Sequence, residues 1–113
     1  MITQRQMAVF DTAWMKVLLV IDPAEYLRRM RQPVLIMNGE LDFQVLPDEN
    51  IEAITAALDA AGNEDVTVHR LMGLNHLFQN AQTGAMAEYS MIKETFDPAA
   101  LAILVDWVVE HTP

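Results

Sequence analysis

The chain has 113 residues, 52% of them apolar, and a formal net charge of −9 from 16 acidic and 7 basic side chains. That length makes one domain or a piece of one. The acidic balance excludes a grip on nucleic-acid phosphates, because Arg28, Arg29 and Arg31 form the only basic cluster. The absence of cysteine excludes disulfides, thiolate zinc sites and a cysteine nucleophile.

No run approaches the ~20 apolar residues of a membrane span. The first 21 residues contain Asp11 and Lys16 and lack the apolar core and cleavage site of a signal peptide. The expectation is a cytoplasmic protein that engages neither membrane nor nucleic acid. So short a chain cannot bury every apolar group alone. A homo-oligomer, dimer or tetramer, is therefore expected.

Along the chain, Met7, Phe10, Trp14, Val17, Leu18 and Ile21 recur at helical spacing and predict one amphipathic helix. Asp22-Pro23 ends it and starts a second helix, with Asp22 as cap and Glu25 completing a capping-box pattern, running to about Arg31. The three arginines then read as a solvated helix end. Pro33 to Met37, closed by Asn38-Gly39, reads as a strand buried on both faces and hence part of a parallel sheet. Asn50 to Ala61 reads as a helix stopped by Gly62. The β-branched stretch Asp65 to Leu71 reads as the next strand.

This strand–helix–strand crossover should be right-handed. Residues 72–96 read as loop with a helical turn around Glu88 to Lys93. Asp97-Pro98 opens a last helix, whose Leu101, Leu104, Val105 and Val108 are expected to face the sheet. Two parallel strands are marginal alone, so the sheet is expected to be completed by oligomerisation or by further polypeptide. The fold class is α/β: one unit over residues 1–113, with two parallel strands and about four helices.

Asp42 follows the first strand and His76 follows the second, so both stand at carboxyl ends of neighbouring strands, where open α/β sheets bind ligands. A carboxylate facing an imidazole there can hold its tautomer.

The stretch Pro33-Val34-Leu35-Ile36-Met37-Asn38-Gly39-Glu40-Leu41-Asp42-Phe43-Gln44-Val45 resembles the penultimate strand and acid loop of the α/β-hydrolase family. Asn75-His76-Leu77-Phe78-Gln79, with Thr83-Gly84, Glu88-Tyr89, Thr95-Phe96-Asp97-Pro98 and Trp107, resembles the histidine loop and closing segment of a bacterial esterase/peptidase-like branch. The resemblance covers nearly the whole chain but only the C-terminal part of that fold. It implies that Asp42 is the catalytic acid and His76 the general base. The family's order is nucleophile, acid, histidine, so the Gly-x-Ser-x-Gly elbow and oxyanion loop would precede residue 1. The single serine, Ser90, follows the histidine without flanking glycines and reads as a surface or capping residue.

Three functions stay open. The favoured one is an oligomeric hydrolase in which a divalent metal ion, Zn²⁺ or Mn²⁺, turns water into the nucleophile by lowering its pKa from ~15.7 to about 7. Its small-molecule substrates would be phosphodiesters, cyclic ones included, or esters. His76 and Asp42 are the leading ligands, followed by Glu40, His69 and Glu88, although no established ligand spacing links them. The alternatives are an inert C-terminal fragment of a serine esterase and a non-catalytic association module. His111 reads as an inert residue of a fraying terminus, and the eight methionines as adaptable filler.

Overall fold

A computed structural model describes Gln4, Ala8 and residues 11–113. It contains, in chain order, α1 (Ala13–Val20), α2 (Pro23–Leu27), β1 (Val34–Gly39), α3 (Pro47–Ala60), β2 (Val66–Leu71), a short 3₁₀ helix (Met86–Met91) and α4 (Pro98–Glu110). β1 and β2 pair in parallel, Val34 opposite Val66 and Gly39 opposite Leu71. The described residues thus hold the expected pair of parallel strands with four α-helices.

Local chemistry explains most boundaries. Asp22 caps α2 by accepting from the Ala24 N–H, and Asp97 caps α4 by accepting from the Ala100 N–H. In both helices proline takes the first turn, where its missing N–H costs nothing. α3 starts at Pro47, three residues before the predicted Asn50, for the same reason; Asp48 and Glu49 then favour its N-terminal dipole. It ends as expected at Gly62: the Gly62 N–H bonds the Asp59 carbonyl and the Asn63 N–H bonds that of Leu58. α2 is shorter than predicted. Its last bonds tighten at Arg29 and Met30, and Pro33 prevents continuation, so Arg28, Arg29 and Arg31 lie beyond the helix.

The core lies between α3 and the sheet, around Ile36, Ala57, Leu58, Ala61 and Leu74. Leu58 is fully buried, and its burial contributes about 2 kcal/mol. Buried Asn63 donates to the carbonyls of Met30 and Gln32 and accepts from the Asp65 N–H, which joins the entrances of both strands.

The described residues of the first apolar stripe, Trp14, Val17, Leu18 and Ile21, are exposed; Met7 and Phe10 lie outside the described residues. One expectation about a helix face fails. In α4, Leu101, Leu104, Val105 and Val108 are exposed, whereas Ala100 is buried and Ile103 and Trp107 are half-buried. The helix is oriented by Trp107, whose Nε1–H donates to Thr67 Oγ1 on β2 at 3.2 Å. His111 is not frayed either. It stacks on Trp107 with ring centroids 4.2 Å apart, its Nδ1 lies 2.8 Å from the Trp107 carbonyl and its Nε2 3.5 Å from Asp65. Among the described residues no helix is long and apolar enough to cross a membrane.

Candidate active site

β1 ends at Gly39 and β2 at Leu71, and the loops leaving them are laced together. The Glu40 N–H donates to the Leu71 carbonyl and the Leu41 N–H to that of Leu74. Gly39 makes the approach possible: a β-carbon there would stand 2.6 Å from the Asn75 carbonyl oxygen and overlap that of Leu74. One residue earlier, buried Asn38 donates to the Val45 carbonyl at 3.2 Å and accepts from Asn50 Nδ2 at 2.7 Å. The acid loop is therefore anchored to the strand behind it and to the first turns of α3.

At the centre, Asp42 Oδ2 lies 2.9 Å from His76 Nδ1. Asp42 Oδ1 accepts from the N–H groups of Gln44 at 2.9 Å and Val45 at 2.8 Å. Burial pushes the Asp42 carboxyl up. Hydrogen bonds from Val45, His76 and Gln44, with the charge of a protonated His76, outweigh that and hold it below its ordinary value. The ionised carboxylate can only accept. His76 Nδ1 must then carry the proton, which leaves the lone pair of the neutral ring on Nε2. Asp42 is 5% exposed while the His76 side chain is 36% exposed. The pair thus has a sealed acid and an accessible base, an arrangement that can take a proton from a hydroxyl or a water at Nε2.

The other proposed metal ligands do not converge on this pair. Glu40 accepts from the Gly73 N–H at 3.3 Å. Glu88 spends its carboxylate on the N–H groups of Gln82, Thr83 and Gly84 and on the Thr83 hydroxyl. The bond from Gln82 leads in holding its carboxyl below the ordinary value, and with the Thr83 and Gly84 donors it outweighs the opposing effect of burial. His69 lies opposite Met37 on β2 and lines a 260 Å³ cavity with Thr67, Ile103 and Trp107. Among the described residues no three acidic or histidine side chains form a metal-ligand cluster. Of the set His76, Asp42, Glu40, His69 and Glu88, Glu88 is engaged by three backbone N–H groups and a hydroxyl, and His69 lies in the cavity beside Trp107.

Ser90 lies exposed on the 3₁₀ helix, with its hydroxyl turned to the Ala87 carbonyl at 3.4 Å. A 480 Å³ cavity lies along α3 and β2, lined by Thr55, Asp59, Val66 and Val68, and neither Asp42 nor His76 borders it.

An acid after one strand and a histidine after the next, joined through Nδ1, stand in the chain order of the acid and histidine of an α/β-hydrolase triad. The chain matches the prolyl oligopeptidase family, Peptidase_S9, over residues 2–100. It belongs to that family. Curated proteins and solved structures were also compared, and none matches. The family's α/β-hydrolase fold agrees with the parallel strands described above, and Asp42, His76 and both strands fall within the matched residues. As a member of the prolyl oligopeptidase family the chain is of a hydrolase type.

Sequence reasoning found the pair but missed its supports. Gly39 closes the gap between the loops, Glu88 shapes the turn at 82–84, and Gln44 Nε2 reaches the Tyr89 hydroxyl at 3.2 Å to join the acid loop to the 3₁₀ helix. The glycine at the strand end beside the acid loop was the available signal for the first.

Proposed function

We propose that Asp42 and His76 are the acid and general base of a serine-hydrolase site acting on peptides or esters, with the nucleophilic hydroxyl brought by polypeptide other than these 113 residues. The observation that carries the reading is the Asp42–His76 bond, which engages Nδ1 and leaves Nε2 as the other nitrogen of a part-exposed ring. Family membership supports the reaction class. In such a site Nε2 removes the hydroxyl proton as the oxygen attacks the acyl carbon, then returns it to the leaving group. Asp42 stabilises the imidazolium that forms between the two transfers. The 113 residues contain no Gly-x-Ser-x-Gly elbow. β1 pairs only on its β2 side among the described residues, which leaves an edge for further sheet.

The test is to fuse the chain behind the nucleophile-bearing segment of a prolyl oligopeptidase family member and follow hydrolysis of an activated ester. A pre-steady-state burst from an accumulating acyl-enzyme is expected, and a chelator should leave it intact. Hydrolysis without a burst that is lost on chelation would contradict the reading and restore metal-activated water.

A further inference from the structure

The loop that carries His76 is folded around one buried amide. Asn75 is 1% exposed, one of the two largest fully buried side chains. Its Oδ1 accepts from the Leu77 and Gln79 N–H groups, each at 3.0 Å, and its Nδ2 donates to Gln79 Oε1 at 3.0 Å. Its own N–H donates to the Gln79 carbonyl, and its carbonyl accepts from the Phe78 N–H. The bond from Leu77 to Asn75 Oδ1 spans His76 and closes an Asx turn around it, which restricts the backbone of the intervening residue.

The closure has a cost that shows where the loop is held. Phe78 has φ +55°, a left-handed conformation that strains an aromatic residue. Its ring stacks on Phe96 at 5.2 Å, and its carbonyl accepts from the Asp97 N–H at 2.7 Å. Gln79 passes the constraint on through Nε2, which donates to the Glu94 carbonyl at 2.9 Å. On the other side, Gly39 abuts the Asn75 carbonyl. Asn75 therefore lies between the end of β1, which leads to Asp42, and the segment that leads into α4.

We infer that Asn75 is a positioning residue for His76, setting the imidazole so that Nδ1 meets Asp42 and Nε2 faces outward. This rests on His76 being the general base of the site. Its test needs neither nucleophile nor substrate, so its failure is distinct from failure of the hydrolase reading.

The experiment is NMR on the 113-residue chain, observing the hydrogen-bonded Nδ1–H proton of His76, with Asp42→Asn as the assignment control. Asn75→Ala should lose that resonance while core methyl signals of Ile36 and Leu58 stay in place. Asn75→Asp, which keeps the acceptor for the Leu77 and Gln79 N–H groups, should retain it. An unchanged resonance in folded Asn75→Ala would overturn the inference, as would equal loss in Asn75→Asp. If Asn75→Ala does not fold, Gln79→Met decides. It removes the partner of Asn75 Nδ2, and the His76 Nδ1–H should then exchange with water about tenfold faster, as for loss of one hydrogen bond, with amide exchange in β1 unaltered. Unchanged His76 exchange in Gln79→Met would overturn the inference.

Discussion

Gly84 lies against Leu41 so closely that a β-carbon at position 84 would overlap the Leu41 carbonyl oxygen, and its φ is +74°. The turn at 82–84 therefore presses on the residue that precedes Asp42. Gly84→Ala should be destabilised by about 1–3 kcal/mol from backbone strain alone, with the overlap adding to it. Denaturant unfolding checks this, and a variant as stable as the parent would show that the contact relaxes freely.

Acid should weaken the fold at the same places. Asp42, Glu88 and Asp97 are all held below their ordinary values by hydrogen bonds that need the charged form. For Asp97 the leading donor is the Ala100 N–H, joined by Asn80. A depressed carboxylate contributes stability above the unfolded value, about 3.9 for Asp and 4.3 for Glu, and loses it as pH falls through the folded value. Stability should be level towards neutrality and decline from about pH 4 downward. Asp42→Asn should flatten part of that decline in unfolding curves taken across pH, and a decline of unchanged steepness would remove Asp42 from the cause.

Glu88 clamps the turn at 82–84 through its carboxylate. Glu88→Ala leaves the N–H groups of Gln82, Thr83 and Gly84 without their carboxylate. Hydrogen exchange at those amides should accelerate while exchange in α3 stays constant. Calorimetric titration with Zn²⁺ should give the same trace for parent and variant. A Zn²⁺ affinity that drops with Glu88 would reinstate it as a ligand.

The exposed stripe Leu101, Leu104, Val105 and Val108 follows the i, i+3, i+4, i+7 spacing of a packing helix. Such a face turned to water favours association. Light scattering on the isolated chain should show species above the monomer mass, and Leu104→Lys combined with Val108→Lys should reduce them. A parent chain that stays monomeric at high concentration would mean these residues are tolerated in water.

The contact between Asp42 and His76 was legible because each residue follows a short apolar strand inside a compact loop motif, and parallel pairing brings the two strand ends together. The packed face of α4 was not legible. Leu101, Ile103, Leu104, Val105, Trp107, Val108 and Val109 cover the helix almost all round, so spacing alone singles out no side. What decides the face is a long-range bond from Trp107 to Thr67 and the small Ala100 against its neighbours. His111 was misjudged for a related reason: its stack on Trp107 and its approach to Asp65 depend on where the helix end lands. Glu88 resembles any solvated carboxylate in sequence, because the turn that feeds it three N–H groups is built by a long-range approach of Gly84 to Leu41. Asn75 was visible as part of a motif, while its burial was not.

The measurement that bears most directly on Asp42 and His76 as an acid–base pair is the rate at which a fluorophosphonate labels the serine of the fused protein. With both residues present the serine should react readily. His76→Ala should slow labelling by at least about 10³-fold, and Asp42→Asn by a comparable order through the reversed tautomer. Equal labelling rates in the parent and in folded His76→Ala would contradict the account.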